Sequence, residues 1–113
     1  MSRDSAHLLD MLNAARAVLA FSAGLERGRF ESDRKTQAAV LYELTVLGEA
    51  ARRVSPEFQA SHEEIRWREI KGLRNRLVHE YDRVDLDELW RVLQKDAPDL
   101  IAKLEPLIPS EPE

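Results

Sequence analysis

Trp67-Arg68-Glu69-Ile70-Lys71-Gly72-Leu73-Arg74-Asn75-Arg76-Leu77-Val78-His79-Glu80-Tyr81 decides the fold class and holds the candidate chemistry. Its apolar residues recur at helical spacing. At about 100° per residue, Ile70, Leu73, Leu77 and Tyr81 fall within roughly 60° of one another. Trp67 and Val78 widen that side. The pattern predicts a helix over 67–81. Arg74 falls inside the apolar arc, where an unpaired charge is costly, so it needs a partner or a cavity. On an unbroken helix His79 would stand about 140° from Arg74 and about 7.5 Å along the axis. Asn75 and Arg76 would share the histidine's side. Arg74 and His79 are therefore not neighbours on one regular face. Two arrangements stay open: the helix unwinds before His79, or a second copy of the chain completes the site.

On either side of this stretch the helical period continues. Leu8, Met11/Leu12, Ala15, Val18/Leu19 and Ser22 predict a first helix over 4–25, starting near Asp4 or Ser5, with Gly24 and Gly28 at its end. Glu26–Asp33 reads as a short charged connector. Ser32 or Asp33 can cap a second helix over 32–54, with a core stripe of Val40/Leu41, Leu44, Leu47/Gly48, Ala51 and Val54. Its opposite side also carries Ala38, Ala39, Tyr42 and Val46, with Glu49 among them. A helix apolar on both sides is usually covered on both sides. Ser55-Pro56 ends it. Residues 56–66 read as an irregular or short-helical connection, and Ser61-His62-Glu63-Glu64 has the form of a capping box. Asp85-Leu86-Asp87-Glu88 is a second such box and opens a last helix over 86–107, which Pro98 should kink or split. The expectation is an all-α, up-and-down four-helix bundle, one domain over 1–113.

Composition narrows the function classes. There is no cysteine, hence no disulfide framework and no thiolate metal site. The three histidines are scattered, with no spacing suited to a metal, and no glycine-rich phosphate loop is present. Neither a metal nor another cofactor is expected. No apolar run approaches the length of a membrane span, and the N-terminus lacks a signal-peptide pattern, so a cytoplasmic protein is expected. The net charge of −4 argues against a generally basic nucleic-acid binder. Yet residues 66–83 carry six cations against three anions, leaving −7 for the remainder. Such a patch can steer a polyanion to one spot or can be an ordinary solvated helix face.

The sequence resembles the HEPN superfamily, and within it the HepT-like toxins of prokaryotic toxin–antitoxin pairs. The resemblance rests on Leu47-Gly48-Glu49-Ala50-Ala51-Arg52-Arg53, on Trp67 to Tyr81, on Val84-Asp85, on Leu89-Trp90 and on Pro98, and spans nearly the whole chain. Trp-x2-Ile-x3-Arg-Asn-x3-His-x-Tyr followed by Val-Asp is its specific part. The connector before Trp67 departs from the usual form in lacking a proline. The resemblance implies a two-fold homodimer and metal-independent endoribonuclease activity on RNA. Arg74 and His79 would be catalytic, with Asn75, Arg76 and Glu49 supporting them. It also implies a partner, a minimal nucleotidyltransferase antitoxin that silences the toxin by AMPylation of Tyr81. A tyrosine on a regular helix would instead bury its ring, and both readings of Tyr81 stand at this stage. The contrasting expectation is a non-catalytic HEPN module that binds RNA or protein.

Overall fold

The computed structural model describes residues 3–79 and 83–109. They form an all-α bundle in which two long antiparallel helices carry shorter helical pieces. α1 (Arg3–Ser22) and α3 (Arg34–Arg53) have 20 residues each. Leu8, Met11, Ala15 and Val18 of α1 and Val40, Leu44, Leu47 and Ala51 of α3 are buried. These are the positions that the helical period selected. Gly24 ends the first helix in the left-handed region, at φ +77°, which a residue without a Cβ adopts freely. Asp33 caps α3 by accepting the Thr36 N–H at 3.0 Å. Asp4 ties the start of α1 to the end of α3: its carboxylate accepts the Ser55 N–H at 2.8 Å and the Ser55 hydroxyl at 2.6 Å. These two bonds, hydroxyl first, hold the Asp4 carboxyl below its usual pKa.

The connector between α1 and α3 is more ordered than expected. Arg27–Glu31 forms a short helix, α2, and Phe30 on it is fully buried. Its ring lies 5.6 Å from that of Trp90. Gln37 is buried beside it and donates to the carbonyls of Phe30 and Glu31 at 2.9 and 3.1 Å. The Phe30 carbonyl also accepts the Asp33 N–H at 3.1 Å, so the Gln37 amide adds a second bond there and reaches the Glu31 carbonyl at the end of α2.

α4 (Pro56–Ser61) follows, capped by Ser55 with Pro56 in its first turn. The capping box expected at Ser61 does not form. Ser61 is the last residue of α4, and its hydroxyl donates back to the Glu57 carbonyl at 3.0 Å. The local bond to a carbonyl four residues back has outcompeted the cap. Trp67 instead fixes this corner, with its indole N–H donating to the His62 carbonyl at 2.9 Å.

The predicted helix over 67–81 is two helices of five residues, α5 (Trp67–Lys71) and α6 (Leu73–Leu77), separated by Gly72. α6 stops at Leu77, and Val78 is extended, at φ −111° and ψ 119°. Val78 and Val84 make an isolated antiparallel bridge, flanked by His79 N–H to the Arg83 carbonyl at 2.7 Å and Asp85 N–H to the Leu77 carbonyl at 2.8 Å. Of the two arrangements left open, the structure shows the helix unwinding before His79.

The last helical run is continuous but irregular. α7 (Leu86–Arg91) is capped by Asp85, as expected. A π turn over Val92–Asp96 leads into α8 (Ala97–Leu104), and a 3₁₀ turn over Glu105–Leu107 ends the run. Pro98 has no N–H to bond back and its ring crowds the preceding turn; widening that turn is one way to relieve both. Leu89, Val92, Leu100 and Leu104 close the core against α1 and α3. No helix among the described residues is long and apolar enough to cross a membrane.

Candidate active site

Gly48 governs the approach of α5 to α3. A Cβ built there would lie 3.2 Å from the Ile70 carbonyl oxygen, a tight contact against backbone. The glycine thus lets the end of α5 settle against α3. The carbonyl of Lys71, at that end, accepts from Arg52 Nη2 at 2.8 Å. The same guanidinium holds Glu49 through Nη1 at 2.7 Å. Arg52 therefore fastens the turn after which Arg74 appears.

Arg74 is exposed, contrary to the expectation that it faces the core. The break at Gly72 changes the phase of the helix, so the single wheel does not carry across it. Leu73 and Leu77 keep α6 in the core while Arg74 opens onto a cleft of about 260 Å³. Thr45, Gly48, Glu49, Arg52, Arg74 and Asn75 are among the residues lining it. Glu49, Arg74 and Asn75, three of the residues picked from the sequence, thus share one cleft. An unbroken helix would have put Asn75 on the histidine's side; with the helix interrupted it lies with Arg74.

His79 and Arg76 are placed elsewhere. His79 follows the end of α6, is about half exposed at 53%, and does not line the Arg74 cleft. Its Nε2 lies 3.6 Å from Asp85 Oδ2. That is longer than a hydrogen bond but close enough for attraction once the ring is protonated. Arg76 points away, to a larger groove of about 550 Å³ between α5–α6 and the last helical run. There its Nε lies 3.9 Å from Glu88 Oε2. Tyr81 lies outside the described residues.

Reasoning from the sequence missed the part played by Arg52, although Gly48-Glu49-x2-Arg52 was in view. The spacing of three from Glu49 was the available signal. Asp85 was read as a helix cap and as part of the Val84-Asp85 signature, not as a neighbour of His79. Its nearness to His79 follows from the Val78–Val84 pairing, for which two β-branched residues on either side of a charged stretch of sequence were the hint. Among the described residues no group of three or more His, Asp or Glu side chains is placed to hold a metal ion.

The geometry offers a permanently cationic phosphate ligand in Arg74, an amide beside it, and an exposed imidazole two residues past the helix end. The family profile described as "Ribonuclease HepT-like" matches residues 11–107. A protein of Thermococcus cleftensis named "Probable ribonuclease HepT" is 36% identical over 101 residues, covering 89% of this chain and 92% of its own. Two proteins of Methanocaldococcus jannaschii named as candidate RNases are also similar. One is 31% identical over 100 residues (88% of this chain, 92% of the relative), the other 28% over 103 (91% and 85%). No solved structure matches. With its motif residues exposed on an all-α bundle and the profile match running from the first helix to the last turn, the chain belongs to the HepT-like ribonuclease family of the HEPN superfamily.

Proposed function

We propose that this protein is a metal-independent endoribonuclease, the toxin of a prokaryotic toxin–antitoxin pair, with Arg74 and His79 as its catalytic residues. The observation that carries this reading is the interruption of the motif helix at Gly72 and again after Leu77, which leaves both side chains exposed. An arginine and a histidine kept for packing would be buried or paired on a regular face.

The reaction uses the substrate's own 2′-hydroxyl. His79 takes its proton, the 2′-oxygen bonds to phosphorus, and the bond from phosphorus to the 5′-oxygen breaks. That oxygen leaves with a proton from solvent, and the other product ends in a 2′,3′-cyclic phosphate. An imidazole is suited to this because its ordinary pKa of about 6.5 lies near working pH. Arg74 binds the phosphate through two N–H groups and stabilises the charge that builds on it. Asn75 orients the phosphate beside it, and Glu49 holds Arg52, which anchors the turn. Arg76 acts at longer range, by attracting RNA towards the groove it borders.

The active form is a two-fold homodimer. Tyr42 on α3 is 66% exposed and Phe21 on α1 is 45% exposed, apolar surface that a second copy would cover. Dimerisation would set two Arg74 clefts and two His79 rings along one channel. The partner is a minimal nucleotidyltransferase that adds AMP to Tyr81. The added phosphate would bring negative charge into the motif and repel RNA.

The test is the chemistry of the products. Incubation with RNA in EDTA should yield 2′,3′-cyclic phosphate ends, and a strand with a 2′-deoxy sugar at the cleaved position should survive. Cleavage of that deoxy strand, or a strict need for magnesium, would refute the mechanism. Binding of RNA with no cleavage would instead support a non-catalytic module.

A further inference from the structure

Asp85 is held at three points. Its N–H donates to the Leu77 carbonyl at 2.8 Å, its Oδ1 accepts the Glu88 N–H at 3.1 Å, and its Cα opens α7. The cap uses one carboxylate oxygen. The other, Oδ2, faces His79 Nε2 at 3.6 Å, roughly half an ångström beyond hydrogen-bond range. The two residues are diagonal neighbours across the Val78–Val84 bridge. The register of that bridge is set by the two main-chain bonds beside it, from His79 N–H and Asp85 N–H. An ordinary surface ion pair contributes little, because two long side chains must be ordered to form it. Here the carboxylate is already fixed by the cap and the ring sits on paired backbone.

Resting on the nuclease reading above, we infer that Asp85 is the positioning residue for His79, and that Nδ1 is the ring nitrogen that takes the proton from RNA. With Nε2–H turned towards the carboxylate, the lone pair of the neutral ring is on Nδ1. The 2′-hydroxyl proton moves to Nδ1, and the imidazolium so formed faces a fixed negative charge. Asp85 touches neither RNA nor phosphate in this scheme. One side chain thereby joins the helix cap to the chemistry: the oxygen that starts α7 fixes the oxygen that orients the base.

The two tasks separate by substitution. Asparagine and serine cap helices about as well as aspartate, so Asp85→Asn keeps α7 and removes the charge facing His79. Cleavage by Asp85→Asn in EDTA should show kcat lowered roughly ten- to a hundred-fold, a part of what a proton-transfer group supplies. KM should stay level or fall, since an anion near the RNA phosphates is gone. Its melting temperature should match the wild type, and Asp85→Ser takes its place if the asparagine variant does not fold. In the His79→Ala background the same substitution should cost nothing more. Wild-type kcat in a folded Asp85→Asn, or an equal loss with and without His79, would overturn the inference while leaving the nuclease reading intact. Equal cleavage by wild type and His79→Ala would remove both.

Discussion

α1 and α3 are regular for 20 residues each and bury one face against one another, whereas the described residues of 67–85 break the helix at Gly72, leave it after Leu77 for the Val78–Val84 bridge and enter a new helix at the Asp85 cap. The first region supplies apolar burial and little chemistry. The second holds Arg74, Asn75 and His79, and among its described residues buries few side chains: Trp67, Ile70, Leu73 and Leu77. Irregular backbone exposes polar groups that a regular helix would hide, and it survives only where firm structure surrounds it. Here α3 is that support. Gly48 admits α5 and Arg52 grips its last carbonyl.

The difference can be broken from the regular side. Phe30→Ala removes a ring buried against Trp90 and should cost about 3–5 kcal/mol of stability, as core aromatic truncations do. Chemical denaturation would measure it, and a loss under about 1 kcal/mol would show that Phe30 does not anchor the core. The irregular side should respond in another way. Gly48→Val pushes a branched side chain at the Ile70 carbonyl and should cost about 1–3 kcal/mol by overpacking. Because the displaced segment leads into Arg74, RNA cleavage at a temperature where the variant stays folded should fall as well. Full activity in a destabilised Gly48→Val would uncouple the cleft from α3.

A smaller effect concerns pH. Hydrogen bonds from Ser55 lower the pKa of Asp4, the Thr36 N–H and hydroxyl lower that of Asp33, and Lys103 lowers that of Asp99. Each carboxylate is thus held ionised more firmly in the folded chain than in the unfolded one. Their stabilisation is present in full above the ordinary carboxylate pKa and is lost as pH falls through the depressed values. Melting temperature should therefore drop below about pH 4. Asp33→Asn, which keeps the cap, should make that drop shallower. An unchanged slope would deny Asp33 a share in it. The smallest effect is expected at the exposed Arg16–Glu105 pair, 2.7 Å apart. Glu105→Gln should change stability by less than about 1 kcal/mol, and a larger shift in a thermal melt would mean that the end of the last helix is held more tightly than its exposure implies.

What the sequence made legible follows the same division. The stripes of α1 and α3, the caps at Asp33 and Asp85 and the disturbance before Pro98 depend on residues within a turn or two, and all are present. The burial of Phe30 depends on Trp90, 60 positions away, and nothing local announces it. The exposure of Arg74 depends on whether a helix keeps its phase through Gly72. A glycine inside a helix costs about 1 kcal/mol and is often tolerated, so the wheel gave no warning. Ser61 offered the residues of a capping box, but its hydroxyl bonds backward within α4. The candidate residues were nameable by type and spacing. Their arrangement was not, because the break at Gly72 turns Arg74 and Asn75 into one cleft and the break after Leu77 sets His79 apart, beside Asp85.

The central claim is that the exposed imidazole beyond the broken helix moves the proton in RNA cleavage. The most direct measurement compares single-turnover cleavage of one RNA by wild type and His79→Ala in EDTA, with circular dichroism confirming that both are folded. His79 is exposed, so its loss should leave the melt unchanged. The account predicts that cleavage falls by about 10²–10⁴. Equal rates for the two proteins would contradict it.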